Sequence, residues 1–347
     1  METKQWVVDK HEQNLESYPQ IKEAAELLQE NEVVAFPTET VYGLGANALS
    51  DEAVAKIYAA KGRPSDNPLI VHISTMEQLH IIAQDISGQA ERLIEEFWPG
   101  PLTLVLKKKE NAVASKVTAG LETVAVRMPS HPVALALIAA TGLPLAAPSA
   151  NLSGKPSPTL AKHVADDLTG KIAGVLDGGA TGVGLESTVL DCSGEVPIIL
   201  RPGGVTKEQL EEVCGVVEVD QAILKEDEAP KSPGMKYKHY APTAPLTIVN
   251  GSMEFIQSLV KEKQAEGLKV GVLTTTEREK NYSADKIIAC GSREDLETVA
   301  NRLYDVLRLF DESNVDVIFS ESFPSEGIGQ AIMNRLTKAA GHKLITE

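Results

Sequence analysis

The sequence predicts an α/β protein in two parts: a larger first domain with a twisted mixed sheet and helices, and a small second α/β domain. Three observations carry this. Over residues 1–212, short apolar runs and helical stripes are interleaved irregularly, not as strict βαβ repeats, which favours a mixed sheet over a doubly wound one. Residues 213–245 then break the pattern: EVDQAILKEDEAPKSPGMKYKHYAPTAP has four prolines, an acidic cluster at Glu226-Asp227-Glu228 and no buried periodicity, and reads as a linker. From Leu246 to residue 347 a fresh alternation begins, with strands at 246–249, 269–273, 285–289 and 315–319 and helices at 253–264, 294–310 and 329–340. A unit of that size can fold alone.

In the first domain, Pro19 opens a helical stripe of Ile21, Ala24, Ala25, Leu27 and Leu28. Val33–Phe36 is a buried strand. Ser50-Asp51-Glu52 starts a helix that carries Val54, Ile57 and Tyr58 and stops at Gly62. Leu69–Ile73 is a strand, followed by helical patterns at 76–84 and 88–97. Leu102–Leu106 and Thr123–Met128 are β-rich. His131–Ala140 is helical, and Leu143–Ala147 is a short apolar run. Strands follow at 172–176, 187–191 and 197–201, then a helix at Lys207–Val213.

Composition narrows the function. Of 347 residues, 43% are hydrophobic and 4% aromatic, so the core is aliphatic. A net charge of −16 argues against gripping nucleic acid, direct tRNA binding included. Lys107-Lys108-Lys109 is a local basic run that reads as a solvated strand end. Cys192, Cys214 and Cys290 are unclustered, which argues against a disulfide framework or a CxxC metal site. The N-terminus has no apolar signal core, and no run of about 18 apolar residues occurs, so a cytoplasmic protein without membrane partners is expected.

The chemistry concentrates in a few segments. In PTETVYGLG (37–45), Thr38 and Thr40 follow a strand, where α/β sheets collect ligands, and Gly43 and Gly45 allow a ligand close or supply φ > 0. A turn in which the threonines cap their own backbone is the other reading. In KGRPSDNPL (61–69), Lys61 suits either a helix C-terminus or a phosphate. Arg63 and Asn67 each precede a proline, which stiffens them for contact with phosphate. Arg127 ends the strand TVAVR, either as a surface residue or as a clamp for a carboxylate. APSANLSGKPSPT (147–159) is either a solvated loop or a cradle of N–H groups and hydroxyls for phosphate. Ser187 and Thr188 start a strand in GLESTVLD, and Arg201 ends one before Pro202. No HExxH, GxSxG or Walker motif is present. Hydroxyls, amides and stiffened arginines suit an enzyme that works by orientation and electrostatics.

PTETVYGLG, KGRP..NPL, VAVRMP, APSANLSG, ESTV and LRPG occur in this order in the YrdC-type threonylcarbamoyl-AMP synthases. The chain resembles the long form of that family over essentially its whole length, with the SPGMKYKHYAP linker and second domain as the distinguishing parts. The resemblance implies a YrdC-like domain at 1–212, a linker or lid at 213–245 and a Rossmann-like domain at 246–347. It implies a nucleotidyltransferase making threonylcarbamoyl-AMP and pyrophosphate from L-threonine, bicarbonate and ATP, the product passing to the tRNA threonylcarbamoyl-transferase machinery. Thr38, His72, Arg127 and Ser187 would hold threonine. Arg63, Asn67, Thr123, Ser149, Ser157, Arg201 and Tyr240 would hold ATP, with Lys61 and Arg63 catalytic at the phosphates. Mg²⁺ would arrive with ATP, no side-chain set being expected to hold a metal. The family often has threonine before PSAN. Here it is Ala147, which implies one hydroxyl contact fewer. Lys236, Tyr237, Lys238 and Tyr240, hinged at Pro233-Gly234, suggest a lid over the nucleotide. An RNA-binding module of the same fold is the alternative. A carbamoyl-phosphate enzyme is disfavoured, because the cysteine-rich fingers of the related hydrogenase-maturation proteins are missing.

Overall fold

The computed structural model describes residues 2–65, 67–220 and 239–347. The expected linker falls largely on 221–238, so Pro233-Gly234, Lys236, Tyr237 and Lys238 lie outside the described residues. The chain divides into two compact units. The first comprises described residues 2–153, 158–182 and 186–220; the second comprises 154–157, 183–185 and 239–347.

The first unit contains β1 (Lys4–Val7), β2 (Val34–Phe36), β3 (Gly43–Asn47), β4 (Ile70–His72), β5 (Ala83–Gln84), β6 (Leu102–Lys108), β7 (Thr123–Arg127), β8 (Leu145–Ala146), β9 (Gly174–Asp177), β10 (Thr188–Asp191), β11 (Ile198–Arg201) and β12 (Glu218–Val219). They join in the order β1-β9-β2-β3-β8-β4-β7-β6-β10-β11-β12, with β5 on β6. Pairing is mixed as expected: β4 and β7 are parallel, β2 and β3 antiparallel.

β2 shows why this sheet is buried on both faces. Successive side chains point to opposite sides. Ala35 joins one apolar cluster with Leu44, Val71 and Leu104, while Val34 and Phe36 join another with Ile21, Leu137 and Leu176. The second cluster is closed by helices Pro19–Gln29 and Pro132–Thr141. Helix Asp51–Lys61 has the ends its sequence implies. Ser50 Oγ accepts from Ala53 N at 3.2 Å, and Gly62 takes the left-handed conformation at φ 63°.

Three differences from the sequence reading have physical causes. The helical pattern at 76–84 stops at Ile82, and Ala83–Gln84 pairs with β6 instead. The N-terminal Lys4–Val7 becomes a strand through parallel pairing with β9. Gly43 and Gly45 lie in β3 and have no positive φ. A Cβ on Gly45 would stand 2.7 Å from Phe36 Cε1, so Gly45 accommodates the Phe36 ring. The basic run behaves as a solvated strand end: Lys107 lies 3.6 Å from Asp85, and Lys109 Nζ donates to His80 O at 2.6 Å.

In the second unit, β13 (Leu246–Asn250), β14 (Val270–Thr274), β15 (Lys286–Ala289), β16 (Val317–Glu321) and β17 (Leu344–Thr346) form a sheet in the order β15-β14-β16-β13-β17. Every pairing in it is parallel. Helices Met253–Ala265, Leu296–Asp311 and Ile328–Ala339 connect the strands. β17 is an addition to the expected elements. No helix among the described residues is long and apolar enough to cross a membrane.

Candidate functional site

Parallel pairing of β4 and β7 sets His72 beside Arg127 at the same strand ends. Both side chains are buried, each 3% exposed. The segment after β2 comes to the same place. Arg127 Nη1 donates to Thr40 Oγ1 at 2.9 Å, its Nε donates to Gly100 O at 3.2 Å, and Nη2 lies 2.6 Å from Glu39 Oε1. Arg127 is therefore a buried cation at a strand end, not a surface residue.

Thr38 serves its own turn. Its Oγ1 donates to Val41 O at 2.7 Å, accepts from Thr40 N, and lies 2.8 Å from Thr40 Oγ1. The capping reading thus holds for Thr38, which shapes the turn that presents Glu39 and Thr40.

His72 is held neutral. Burial first, and then the Arg127 charge, depress its pKa to about 3. His131 caps helix Pro132–Thr141 by accepting from Val133 N at Nδ1, 3.2 Å away. Burial is the main force lowering its pKa to about 4; Lys10 adds to that and Glu39 opposes it.

The polar atoms here are not satisfied. Glu39 Oε1 and Oε2, Arg127 Nη2 and His131 Nε2 are all buried without a hydrogen bond of good geometry. The Glu39–Arg127 approach is close but off the N–H line. Such atoms cost free energy unless a partner arrives. Glu321 in the second unit provides a contrast. It is also buried, yet its Oε1 accepts from Thr274 and Tyr282 at 2.6 and 2.8 Å, and its Oε2 from Arg278 and Arg293 at 3.1 Å each. Glu321 is a completed structural cluster. The Glu39–Arg127 cluster has capacity left for a ligand.

Nearby in sequence logic, Ser187 and Arg201 are brought together at the ends of β10 and β11. Arg201 Nη2 donates to Ser187 O at 3.0 Å and to Ser187 Oγ at 3.2 Å, and Ser187 Oγ lies 2.8 Å from Thr103 Oγ1.

A second group forms around Lys61. Its side chain is buried, and Nζ donates to Ser149 O and to Asn151 O, the latter at 2.7 Å. The loop it holds is also pinned to β3 and the residue before it: Leu44 N donates to Pro148 O, and Ala150 N to Tyr42 O, both at 2.8 Å. Arg63 follows Gly62 and is half-buried. Asn67 O accepts from Tyr58 Oη at 2.9 Å. Thr123 sits at the opposite end of β7 from Arg127, paired with Lys107 of β6. Ser157 and Tyr240 belong to the second unit, where Tyr240 stacks on Tyr304 with ring centroids 5.1 Å apart. Ala147 is buried and packs against the site of Gly43.

The sequence placed Thr40 at a ligand-collecting strand end but left Glu39, Thr103 and His131 without site roles. Glu39 had a usable signal, a carboxylate between two threonines just past a strand end. Among the described residues, no group of three or more His, Cys, Asp or Glu is arranged to hold a metal ion.

Comparison with known proteins extends this picture. Residues 26–203 match the Sua5/YciO/YrdC family, described as telomere recombination, and residues 205–341 match the threonylcarbamoyl-AMP synthase C-terminal domain. The chain is 61% identical to the threonylcarbamoyl-AMP synthase of Bacillus subtilis, over 99% of this chain and 100% of that protein. It is 49% identical to the Pyrococcus abyssi protein of the same name, over 94% of this chain and 95% of that one. The crystal structure of P. abyssi Sua5 complexed with L-threonine superimposes with a TM-score of 0.91 at 46% identity, covering 99% of this chain and 100% of the other. The chain therefore belongs to the Sua5/YciO/YrdC family, in the two-domain form that carries the threonylcarbamoyl-AMP synthase C-terminal domain.

Proposed function

We propose that this chain is an L-threonylcarbamoyladenylate synthase, a nucleotidyltransferase that converts L-threonine, bicarbonate and ATP into threonylcarbamoyl-AMP, pyrophosphate and water. The observation that carries the reading is the cluster of unsatisfied buried polar atoms around Arg127, within a family whose P. abyssi member is known with L-threonine bound.

In this reading Arg127 pairs with the threonine carboxylate, and a bidentate guanidinium contact suits that group. Neutral His72, with Thr38 and Ser187, lines the remainder of the amino-acid site. Burial keeps the imidazole from adding a second cation beside Arg127. Arg63, Asn67, Thr123, Ser149 and Arg201 are the first unit's proposed contacts to ATP. Lys61 fixes the 148–151 loop through its carbonyls, and with Arg63 opposes the charge that grows on the phosphates as pyrophosphate leaves.

The reaction runs in two bond-forming stages. The amine of threonine attacks bicarbonate to give a carbamate and water. A carbamate oxygen then displaces pyrophosphate from the α-phosphorus. Magnesium would enter as the ATP complex. As an activated mixed anhydride the product would pass its threonylcarbamoyl group to an acceptor, which the resemblance gives as the tRNA-modifying machinery.

The test is direct. Purified protein with magnesium should release pyrophosphate only when ATP, threonine and bicarbonate are all present. Release without threonine, or with any amino acid equally, would refute the assignment.

A further inference from the structure

We propose that Glu39 receives the ammonium group of the amino-acid substrate and removes its proton, making it a further catalytic residue; the inference rests on the reading of the site given above. An amino acid arrives with a carboxylate and an ammonium on neighbouring atoms. A buried site that takes it needs a cation and an anion equally close together. Arg127 and Glu39 are such a pair, 2.6 Å apart, with their remaining hydrogen-bonding capacity unused.

Their mutual geometry supports exchange. The side chains cover one another's charge, but the N–H of Arg127 Nη2 does not point at the Glu39 oxygen. A substrate carboxylate in line with Arg127 improves on that contact. Glu39 is then released to the ammonium, and no buried charge is left unmatched at any stage. Breaking such a pair without a replacement is strongly unfavourable.

Other candidates for the proton are engaged or unsuited. Asp177 Oδ1 accepts from Gly179 N at 2.9 Å and lies 3.4 Å from Tyr42 Oη. His131 accepts from Val133 N at Nδ1, which places the proton of the neutral ring on Nε2, so its one open nitrogen is a donor and not a base. His72 lies beside Arg127, and its Nδ1 is 3.3 Å from Ile70 O. Both imidazoles are held far below their ordinary range by burial. Arg127 lies 2.6 Å from Glu39, His72 is paired with Arg127 across the strands, and His131 feels the charges of both Glu39 and Lys10.

The step balances. One N–H bond of the ammonium breaks and the proton moves to a Glu39 oxygen, leaving a neutral amine and a neutral carboxylic acid. The freed nitrogen lone pair forms the N–C bond to bicarbonate. The departing hydroxide takes the second amine proton and leaves as water. Glu39 returns its proton to solvent when the product departs.

The experiment uses the full chain and the variant Glu39→Gln, which keeps the shape and removes the base. Threonine binding is measured by calorimetry and turnover by pyrophosphate release from pH 6.5 to 9. The expected result is a loss of about 10²- to 10⁴-fold in turnover near pH 7, larger than the accompanying loss of threonine affinity. Turnover of the variant should then climb about tenfold per pH unit as the free amine accumulates in solution, while the unaltered chain responds much less. A variant within about threefold of the parent and sharing its pH profile overturns the proposal. Should Glu39→Gln melt below the assay temperature, Glu39→Asp takes its place. Withdrawing the carboxylate by one methylene should lower turnover at least about tenfold while threonine still binds, and full activity overturns the proposal. Failure of the unaltered chain to bind threonine would sink the underlying site reading, a result distinct from a failure of Glu39 alone.

Discussion

Lys61 Nζ donates to the carbonyl oxygen of Asn151 at 2.7 Å, across 90 residues of chain. A helix C-terminus is thereby joined to the loop after β8, and the same ammonium reaches Ser149 O. Lys61→Ala should cut pyrophosphate release by more than about tenfold while threonine affinity changes less, since phosphate charge grows in the transition state. Titration calorimetry beside the turnover assay separates the two. Equal losses, with a lowered melting temperature, would mean that Lys61 only holds the loop.

Arg127→Ala should mainly raise the threonine requirement. A buried carboxylate that loses its charged partner loses roughly 2–5 kcal/mol. The variant also leaves Glu39 facing no cation, so it should melt earlier than Arg127→Ala combined with Glu39→Gln. An unchanged KM for threonine would remove Arg127 from the amino-acid site.

Gly203 is required by contact, not by conformation. A Cβ there would lie 2.3 Å from Glu186 O and 2.4 Å from Ser187 C. Gly203→Ala must displace the start of β10, so a cost of about 1–3 kcal/mol or more is expected, along with reduced turnover through Ser187. Gly88→Ala is the control: its added methyl meets nothing within 4 Å, and its stability should change by less than about 0.5 kcal/mol. Urea unfolding of both variants decides the matter.

Stability should fall with acid partly through two histidines. In the folded chain His72 and His131 are depressed to about 3 and about 4, against about 6.5 in an unfolded chain. Below about pH 6.5 the unfolded state therefore binds protons that the folded state refuses, and unfolding becomes easier as pH drops toward 4. Replacing His72 with Asn should flatten the pH dependence over that window by up to about 1.4 kcal/mol per pH unit. Parallel curves for parent and variant would show that His72 is not buried neutral.

Tyr240 adopts φ 62°, stacks on Tyr304, and lies under the Arg335 guanidinium at 5.9 Å. Tyr240→Ala should destabilise the second unit by about 1–3 kcal/mol through lost ring contacts. Measuring the KM for ATP in the same variant tests the nucleotide role implied by the resemblance; an unchanged value would confine Tyr240 to packing.

Local signals were legible wherever short-range forces decide the outcome. Ser50 and Gly62 marked the ends of one helix, Pro19 opened another, and the alternation from Leu246 marked the second α/β unit. The strand-end positions of Thr38, Arg127 and Arg201 were readable too, because turns and prolines follow the strands at once. The joining of those ends was not readable. Glu39 meets Arg127, and Lys61 meets Asn151, only through sheet pairings between segments many tens of residues apart. Gly43–Asn47 has the composition of a loop, yet it is a strand, because β2 and β8 supply its hydrogen bonds and Phe36 fills the space a side chain would need. The sequence by itself determined which segments bend and where the polar groups sit along the chain. Which of those groups share a buried site, and which stay unsatisfied there, was decided by long-range register, which no local preference encodes.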